Sequence, residues 1–334
     1  MEAERPPTLA DVARVARVAT STASRALQES SRISEPTKLR VRAAAQGLGY
    51  RPNRIAQSLR TRSANIVGLV VPDIGAPFYS RVVKGAQSVF EQNGYAVLMM
   101  NTERRPERED AAIHTLLEHR VRGVLVATSG GSTAVPEVPT VYYDNIIPNR
   151  GVGNVTRANV AGMALLVEHL RTHGHERIGY IGGPPTLTSG IERLGGYQAA
   201  VRELGLVARE EYVQFSEMDW SPHSGAEAMQ RLLAVDEPPT AVVTSGESLA
   251  LGALSVCRTN GRRVPDDVAL ASFDDPPFGD LLDPPLTALS RNEEEMGRLA
   301  ASLLLHALQS MEPSPAAEVR LPLELVVRRS CGCQ

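Results

Sequence analysis

The chain has 334 residues, 43% of them hydrophobic and 22% charged, with a formal net charge of −3. That is too long for one ordinary core and enough for two or three domains. Three cysteines make no disulfide framework, the opening MEAERPPTLADVARV lacks a secretory signal's apolar run, and no stretch approaches the roughly 18 apolar residues of a membrane span, so a soluble, cytoplasmic protein is expected.

The net charge conceals an asymmetry. Residues 1–62 hold twelve Lys and Arg against five Asp and Glu, a charge of +7, and the remainder carries −10. A small basic head on an acidic body suits a polyanionic partner. In the head, Thr8 is placed to cap a helix over LADVARVAR, with Leu9, Val12, Ala13 and Ala16 on one face. After a break at Arg17–Ala19 a second helix runs TSTASRAL, with Ala23, Ala26 and Leu27 inward. A third opens at Ser34, takes Pro36 into its first turn and stops at Gly49. Two short helices separated by about three residues and followed by a support is the helix-turn-helix pattern. Thr20, Ser21 and Arg25 then face a major groove, where an arginine can pair with guanine. Thr22 and Ser24 suit phosphate contacts.

RPNRIAQSLRTRS, residues 51–63, follows. Pro52 opens a helix of about two turns, too short to persist alone because nucleation costs more than so few bonds return. Such a helix is expected to form on DNA, beside a second copy of itself. Asn53, Arg54, Ala56 and Leu59 are its DNA-facing residues, and Leu59 is its apolar wedge for the minor groove.

In the body, the strand-like runs NIVGLVV, YAVLMM, GVLVAT, RIGYIGG, TAVVTS and DVALASF alternate with helical segments near 78–93, 107–120, 158–172, 190–205, 224–234 and 247–259. This alternation predicts parallel sheets covered by helices, which bind ligands at the carboxyl ends of their strands. Phe78 and Tyr79, Asp144, Arg193, Trp220 and Asp274 lie in or beside the loops at those ends. Aromatic faces with Asp and Arg from separate segments suit a polar ring compound such as a sugar.

TLADVARVARVATSTASRAL, RISEPTKLRVRAAAQGLGYRPNRIAQSLRT and IVGLVVPDIGAPFYSRVVKGAQ resemble the lactose-repressor (LacI) family of bacterial transcription regulators, and the similarity continues through VEHLRTHGHERIGYIGGP, VPDDVALASFDD and PPLTAL. The resemblance implies an all-α helix-turn-helix headpiece (1–50), a hinge helix (51–63) and an α/β, two-lobed effector and dimerisation domain like periplasmic sugar-binding proteins (64–334). It implies a homodimer on a palindromic operator, most often as a repressor. Phe78, Asp144, Arg193, Trp220 and Asp274 match the family's effector contacts. Three positions depart from the family: the turn glycine is Arg17, the serine cap of the second helix is Ala19, and the aspartate before Asn159 is Ala158. Lobe closure about an effector is expected to change the spacing of the paired hinges and hence DNA affinity.

His169 and His173 stand four apart in HLRTHGH, but no third metal ligand follows at a fixed spacing, and the placement suits a helix C-terminus. Cys331 and Cys333 in RRSCGCQ are not a zinc site by themselves. No metal or cofactor is expected. G-x-S-x-G, P-loop and dinucleotide fingerprints are absent, so an enzyme is the weaker reading. A free sugar-binding protein would not need the basic head.

Overall fold

The computed structural model describes residues 7–27, 30–50, 65–216, 220–290, 292–310 and 316–333. The expected hinge helix, with Asn53, Arg54, Ala56 and Leu59, lies outside the described residues. The chain separates into two compact units, Met1–Ala64 and Asn65–Gln334.

Among the described residues the head holds three α-helices, α1 (Leu9–Ala16), α2 (Thr20–Leu27) and α3 (Glu35–Gly47). Thr8 caps α1 reciprocally: Thr8 Oγ1 accepts from the Asp11 amide at 3.4 Å, and Asp11 Oδ2 accepts from the Thr8 amide at 2.9 Å. The Thr8 hydroxyl also donates to Asp11 Oδ2 at 2.7 Å, and this bond first, then the amide's, lowers the Asp11 carboxyl to a pKa of about 2. The core is built from small residues, Val12, Ala13, Ala16, Ala23, Ala26, Val41, Ala44 and Ala45, with Leu9, Val18, Leu27, Ile33, Leu48 and Tyr50 around it. Small side chains let three short helices approach closely enough to exclude water. Between α1 and α2 the chain reverses through Arg17 at φ 53°, ψ 50°. That left-handed conformation is the one glycine adopts without penalty.

The described residues of the body form two sheets of six strands. In lobe 1 the order is β11 (Ala317–Leu321), β5 (Gly153–Arg157), β4 (Thr140–Tyr143), β3 (Val124–Val126), β1 (Ile66–Val71) and β2 (Ala96–Asn101), all parallel. Lobe 2 has the order β12 (Glu324–Val326), β10 (Thr287–Ser290), β9 (Ala269–Ser272), β8 (Ala241–Thr244), β6 (Ile178–Gly182) and β7 (Val213–Phe215), with only β12 antiparallel. Both faces of each sheet are covered, so the central strands are apolar along their whole length rather than alternating. In lobe 1 the covering helices are α4 (Pro77–Gln92), α5 (Pro106–Glu118) and α10 (Glu293–Gln309). In lobe 2 they are α6 (Asn159–Thr172), α7 (Thr188–Glu203), α8 (Pro222–Leu233) and α9 (Glu247–Thr259). Proline stands in the first turn of α3, α4, α5 and α8, where its missing N–H costs nothing.

The helix α10 was not among the sequence expectations. Asn292 caps it, and Glu293, Glu294 and Glu295 occupy its positive first turn. It packs on α4 so closely that a Cβ on Gly85 would strike the Glu294 backbone and one on Gly297 the Val82 carbonyl. The chain crosses between lobes three times: after β5, after β10 and after β11. Residues that follow the carboxyl ends of strands in both lobes line one cleft. No helix among the described residues is long and apolar enough to cross a membrane.

A strained residue at the head's turn is directly testable. Arg17→Gly should stabilise the head by about 1 kcal/mol, the cost of holding an L-residue left-handed. Slower amide exchange in α1 and α2, measured in the full chain, is the expected result, with body amides unchanged.

Candidate functional site

In the head, Ser21, Thr22 and Arg25 occupy one face of α2, spaced three and four residues apart. Thr20, Ser21 and Arg25 are exposed and Thr22 is half-buried. Ser24 is a correction: it is 4% exposed. It lies one residue after Ala23 and three before Leu27, so the turn of the helix carries it inward with them. The first turn of α2 begins without a side-chain cap at Ala19, whose carbonyl accepts from the Ala23 amide at 2.9 Å.

In the body, all six residues expected from the sequence, Phe78, Tyr79, Asp144, Arg193, Trp220 and Asp274, line one cavity between the lobes. Phe78 and Tyr79 come from the first turn of α4, and Asp144 follows β4 at φ 61°. Asp274 follows β9 from the other lobe. Arg193 stands in the second turn of α7, not at its start, because the helix begins at Thr188. Trp220 is fitted by two glycines: a Cβ on Gly183 would run into its indole, and one on Gly246 would come within 3.0 Å.

The residue that joins these groups is Arg157, the last of β5, which the sequence reading passed over. Its side chain is 5% exposed. Nη2 donates to Asp144 Oδ1 at 2.5 Å within lobe 1, and Nη1 donates to Asp274 Oδ1 at 2.9 Å across to lobe 2. The guanidinium lies 4.6 Å from the Phe78 ring centre and 5.6 Å from that of Phe273. Its Nε is buried with no hydrogen-bond partner among the described residues. Arg193 approaches the same carboxylate from lobe 2, 3.7 Å from Asp274 Oδ2, while its Nε donates to Asn159 Oδ1 at 3.0 Å and Nη1 donates to the Ser245 carbonyl. It stacks 3.9 Å from the Phe273 ring centre and 5.6 Å from Trp220.

On the other side of Asp144, Oδ2 accepts from Tyr79 Oη and from Asn145 Nδ2, each at 3.1 Å. Burial and the neighbouring Asp144 charge raise the Tyr79 phenol far above its usual range, so it stays a neutral donor. A second bridge between lobes runs beside this network: the Ser189 amide donates to Asn145 Oδ1 at 3.0 Å, and Thr188 Oγ1 donates to the Ile146 carbonyl at 3.1 Å. The free space left is about 70 Å³. Drug-sized ligands occupy pockets of roughly 300–1,000 Å³. A ring compound therefore enters only if Arg157 gives way or the lobes part.

Arg157, Arg104, Asn145, Ser189 and Glu247 line the cavity and Asn159 accepts from Arg193, yet none was singled out from the sequence as a site residue. For Arg157 a signal existed: an arginine closes the strand GNVTR, which is otherwise largely buried. The others are ordinary polar loop and helix-start residues with no pattern of their own.

The sequence matches the family pattern of bacterial regulatory proteins, lacI family, over residues 8–53, and that of periplasmic binding protein-like domains over residues 167–331. It is 31% identical to the HTH-type transcriptional repressor CytR of Escherichia coli (strain K12), covering 98% of this chain and 97% of the relative. The fold matches the lac repressor dimer bound to operator and the anti-inducer ONPF with a TM-score of 0.87 at 27% identity, covering 98% of this chain and 99% of the other. It also matches the transcriptional regulator CelR–cellobiose complex with a TM-score of 0.72 at 30% identity, covering 97% and 99%.

Removing Arg157 leaves two buried carboxylates short of a partner. Arg157→Met should lower body stability by about 3–5 kcal/mol, the usual cost of breaking a buried pair from one side. Adding Asp144→Asn should restore part of that loss. Denaturant melts of the two single variants and the double variant measure the coupling, and strictly additive effects would contradict the network.

Proposed function

The chain belongs to the LacI family of bacterial regulatory proteins, and from that premise we propose that it is a cytoplasmic, homodimeric repressor whose hold on a palindromic operator is set by a small effector, a sugar or sugar derivative, taken up between its two lobes. The observation that carries this reading is the interlobe cleft in which Arg157 occupies the space a ligand would need. The operator-bound dimer of the lac repressor and the cellobiose complex of CelR support its two halves.

The charge lining the cleft narrows the ligand class. Arg104, Arg157 and Arg193 are matched by Asp144, Asp274 and Glu247. A balanced lining offers no net attraction to an anion, so the effector is a neutral polyol and not a sugar phosphate. Its hydroxyls replace the Arg157 guanidinium as partners of Asp144 and Asp274, while Phe78 and Trp220 cover its C–H faces. The effector shifts the lobe equilibrium only by its difference in affinity for the two arrangements. A coupling of about 1–3 kcal/mol changes operator affinity about 5–150-fold. Exposed Thr20, Ser21 and Arg25 read the bases, and Thr22 positions the backbone. Asn53, Arg54, Ala56 and Leu59 serve the hinge.

Two measurements test this. Trp220 is the only tryptophan, so a screen of neutral sugars and their phosphates by thermal shift and tryptophan emission should find a neutral ligand. Asp274→Asn should weaken that ligand by about 1.5–3 kcal/mol. Binding confined to sugar phosphates would reverse the assignment.

Selection from random duplexes should return a palindrome. Arg25→Ala should cost about 1–3 kcal/mol on that site and relax its base preference. Leu59→Ala should reduce operator affinity and bending together while leaving effector binding intact. If no palindrome emerges, the dimeric-operator reading fails.

A further inference from the structure

Far from the cleft, the two short motifs that the sequence left unmatched meet in space. His169 lies in the last turn of α6, and His173 caps that helix's C-terminal end. Cys331 ends a short 3-10 turn, Arg329–Cys331, and Cys333 follows Gly332 at φ 94°. That left-handed glycine reverses the chain between the two cysteines, and both thiols reach the end of α6. The four ligand atoms, two imidazole nitrogens and two sulfurs, all lie within 4.8 Å of one another. Cys333 Sγ is 3.0 Å from His173 Nε2 and 3.8 Å from His169 Nε2. The two imidazole rings stand edge to face, 4.9 Å apart, so neither blocks the other's approach to a shared point.

We propose that His169, His173, Cys331 and Cys333 form a four-coordinate zinc(II) site of the His2Cys2 type. With Zn–S near 2.3 Å and Zn–N near 2.0–2.1 Å, tetrahedral ligand atoms sit about 3.3–3.8 Å apart. The distances observed bracket that range, so small side-chain rotations close the site. Two thiolates with two imidazoles are a donor set that zinc prefers to magnesium or calcium, which take oxygen. A disulfide between Cys331 and Cys333 would be strained across a single residue, and it would leave the approach of both histidines unexplained.

The surroundings hold the ligands in place, as outer-shell partners do in known metal sites. Cys331 is fully buried, its sulfur accepting from Thr287 Oγ1 at 3.1 Å, a bond the thiolate keeps when the proton it donates to the Arg328 carbonyl at 3.2 Å is released. Ser330 anchors the same turn to lobe 2, donating to the Leu270 carbonyl at 2.6 Å and accepting from the Thr287 amide at 2.8 Å. His173 is exposed, so the ion has a path from solvent. On binding, zinc displaces the thiol protons to solvent and ties the C-terminal segment to α6. That helix begins directly after the Arg157 crossing, so the tie rigidifies the part of lobe 2 against which the lobes move.

The test uses the full-length reduced protein. Zinc added to metal-free protein, in competition with a chromophoric chelator, should bind at about one ion per chain and raise the thermal midpoint, and excess chelator should reverse both. Cobalt(II) in its place should give the intense visible bands of tetrahedral coordination together with a thiolate-to-cobalt charge-transfer band in the near ultraviolet. Cys333→Ser, at a half-buried position, and His173→Ala, at an exposed one, should each weaken zinc binding at least about tenfold, and a circular dichroism spectrum like that of the parent chain establishes that they fold. No binding of zinc in that competition overturns the proposal. So does a cobalt spectrum without the thiolate band, or zinc binding that both folded variants retain unchanged.

Discussion

The body is organised around the guanidinium of Arg157, buried between the lobes. Arg157 stands at the first of three chain crossings between the lobes and donates to an aspartate on each side, Asp144 in its own lobe and Asp274 in the other. Taking such charges out of water is expensive, and their attraction repays it only when geometry is good and the remaining donors and acceptors are satisfied. The second condition explains the rest of the site. Tyr79 and Asn145 donate to the far oxygen of Asp144, and Arg193 approaches the far oxygen of Asp274. Phe78 and Phe273 cover the guanidinium face, where cation–π attraction replaces part of the lost hydration.

An ion network spanning two lobes differs from one inside a single core. Within a core nothing else can supply the missing bonds, so the pair is permanent. Between lobes the pair is open to replacement, because its two carboxylates belong to separate lobes. The cleft's free volume of about 70 Å³ admits a ring-sized occupant only if Arg157 gives way or the lobes part. The parallel sheets place every participant at a strand's carboxyl end, and the three crossings after β5, β10 and β11 leave the lobes free to reorient with little unfolding.

The head solves a different problem with less material. Its core is largely alanine and valine, so stability comes from close helix approach rather than from large buried area. The Thr8–Asp11 capping box contributes at one end of α1, and left-handed Arg17 costs something at the other. A cation at a turn glycine's usual position is a poor choice for stability alone. It adds to the head's positive charge, which a polyanionic partner rewards.

The sequence by itself determined the local features. Apolar periodicity and caps placed α1 to α3, α4 to α9 and the central strands within a few residues, because those signals lie within one or two turns of the chain. The same reasoning put Phe78, Tyr79, Asp144, Arg193, Trp220 and Asp274 at strand ends, which in a parallel sheet share one edge. It misplaced Ser24, since a helix's inward arc is set by its neighbours' packing and not by polarity. It passed over Arg157, whose partners are 13 and 117 residues away. It left His169 and His173 unjoined to Cys331 and Cys333, some 160 positions apart. Only the tertiary structure decided these, because one buried charge and one cluster of soft ligands are defined by what several distant segments bring to a single point, and no local pattern encodes that meeting.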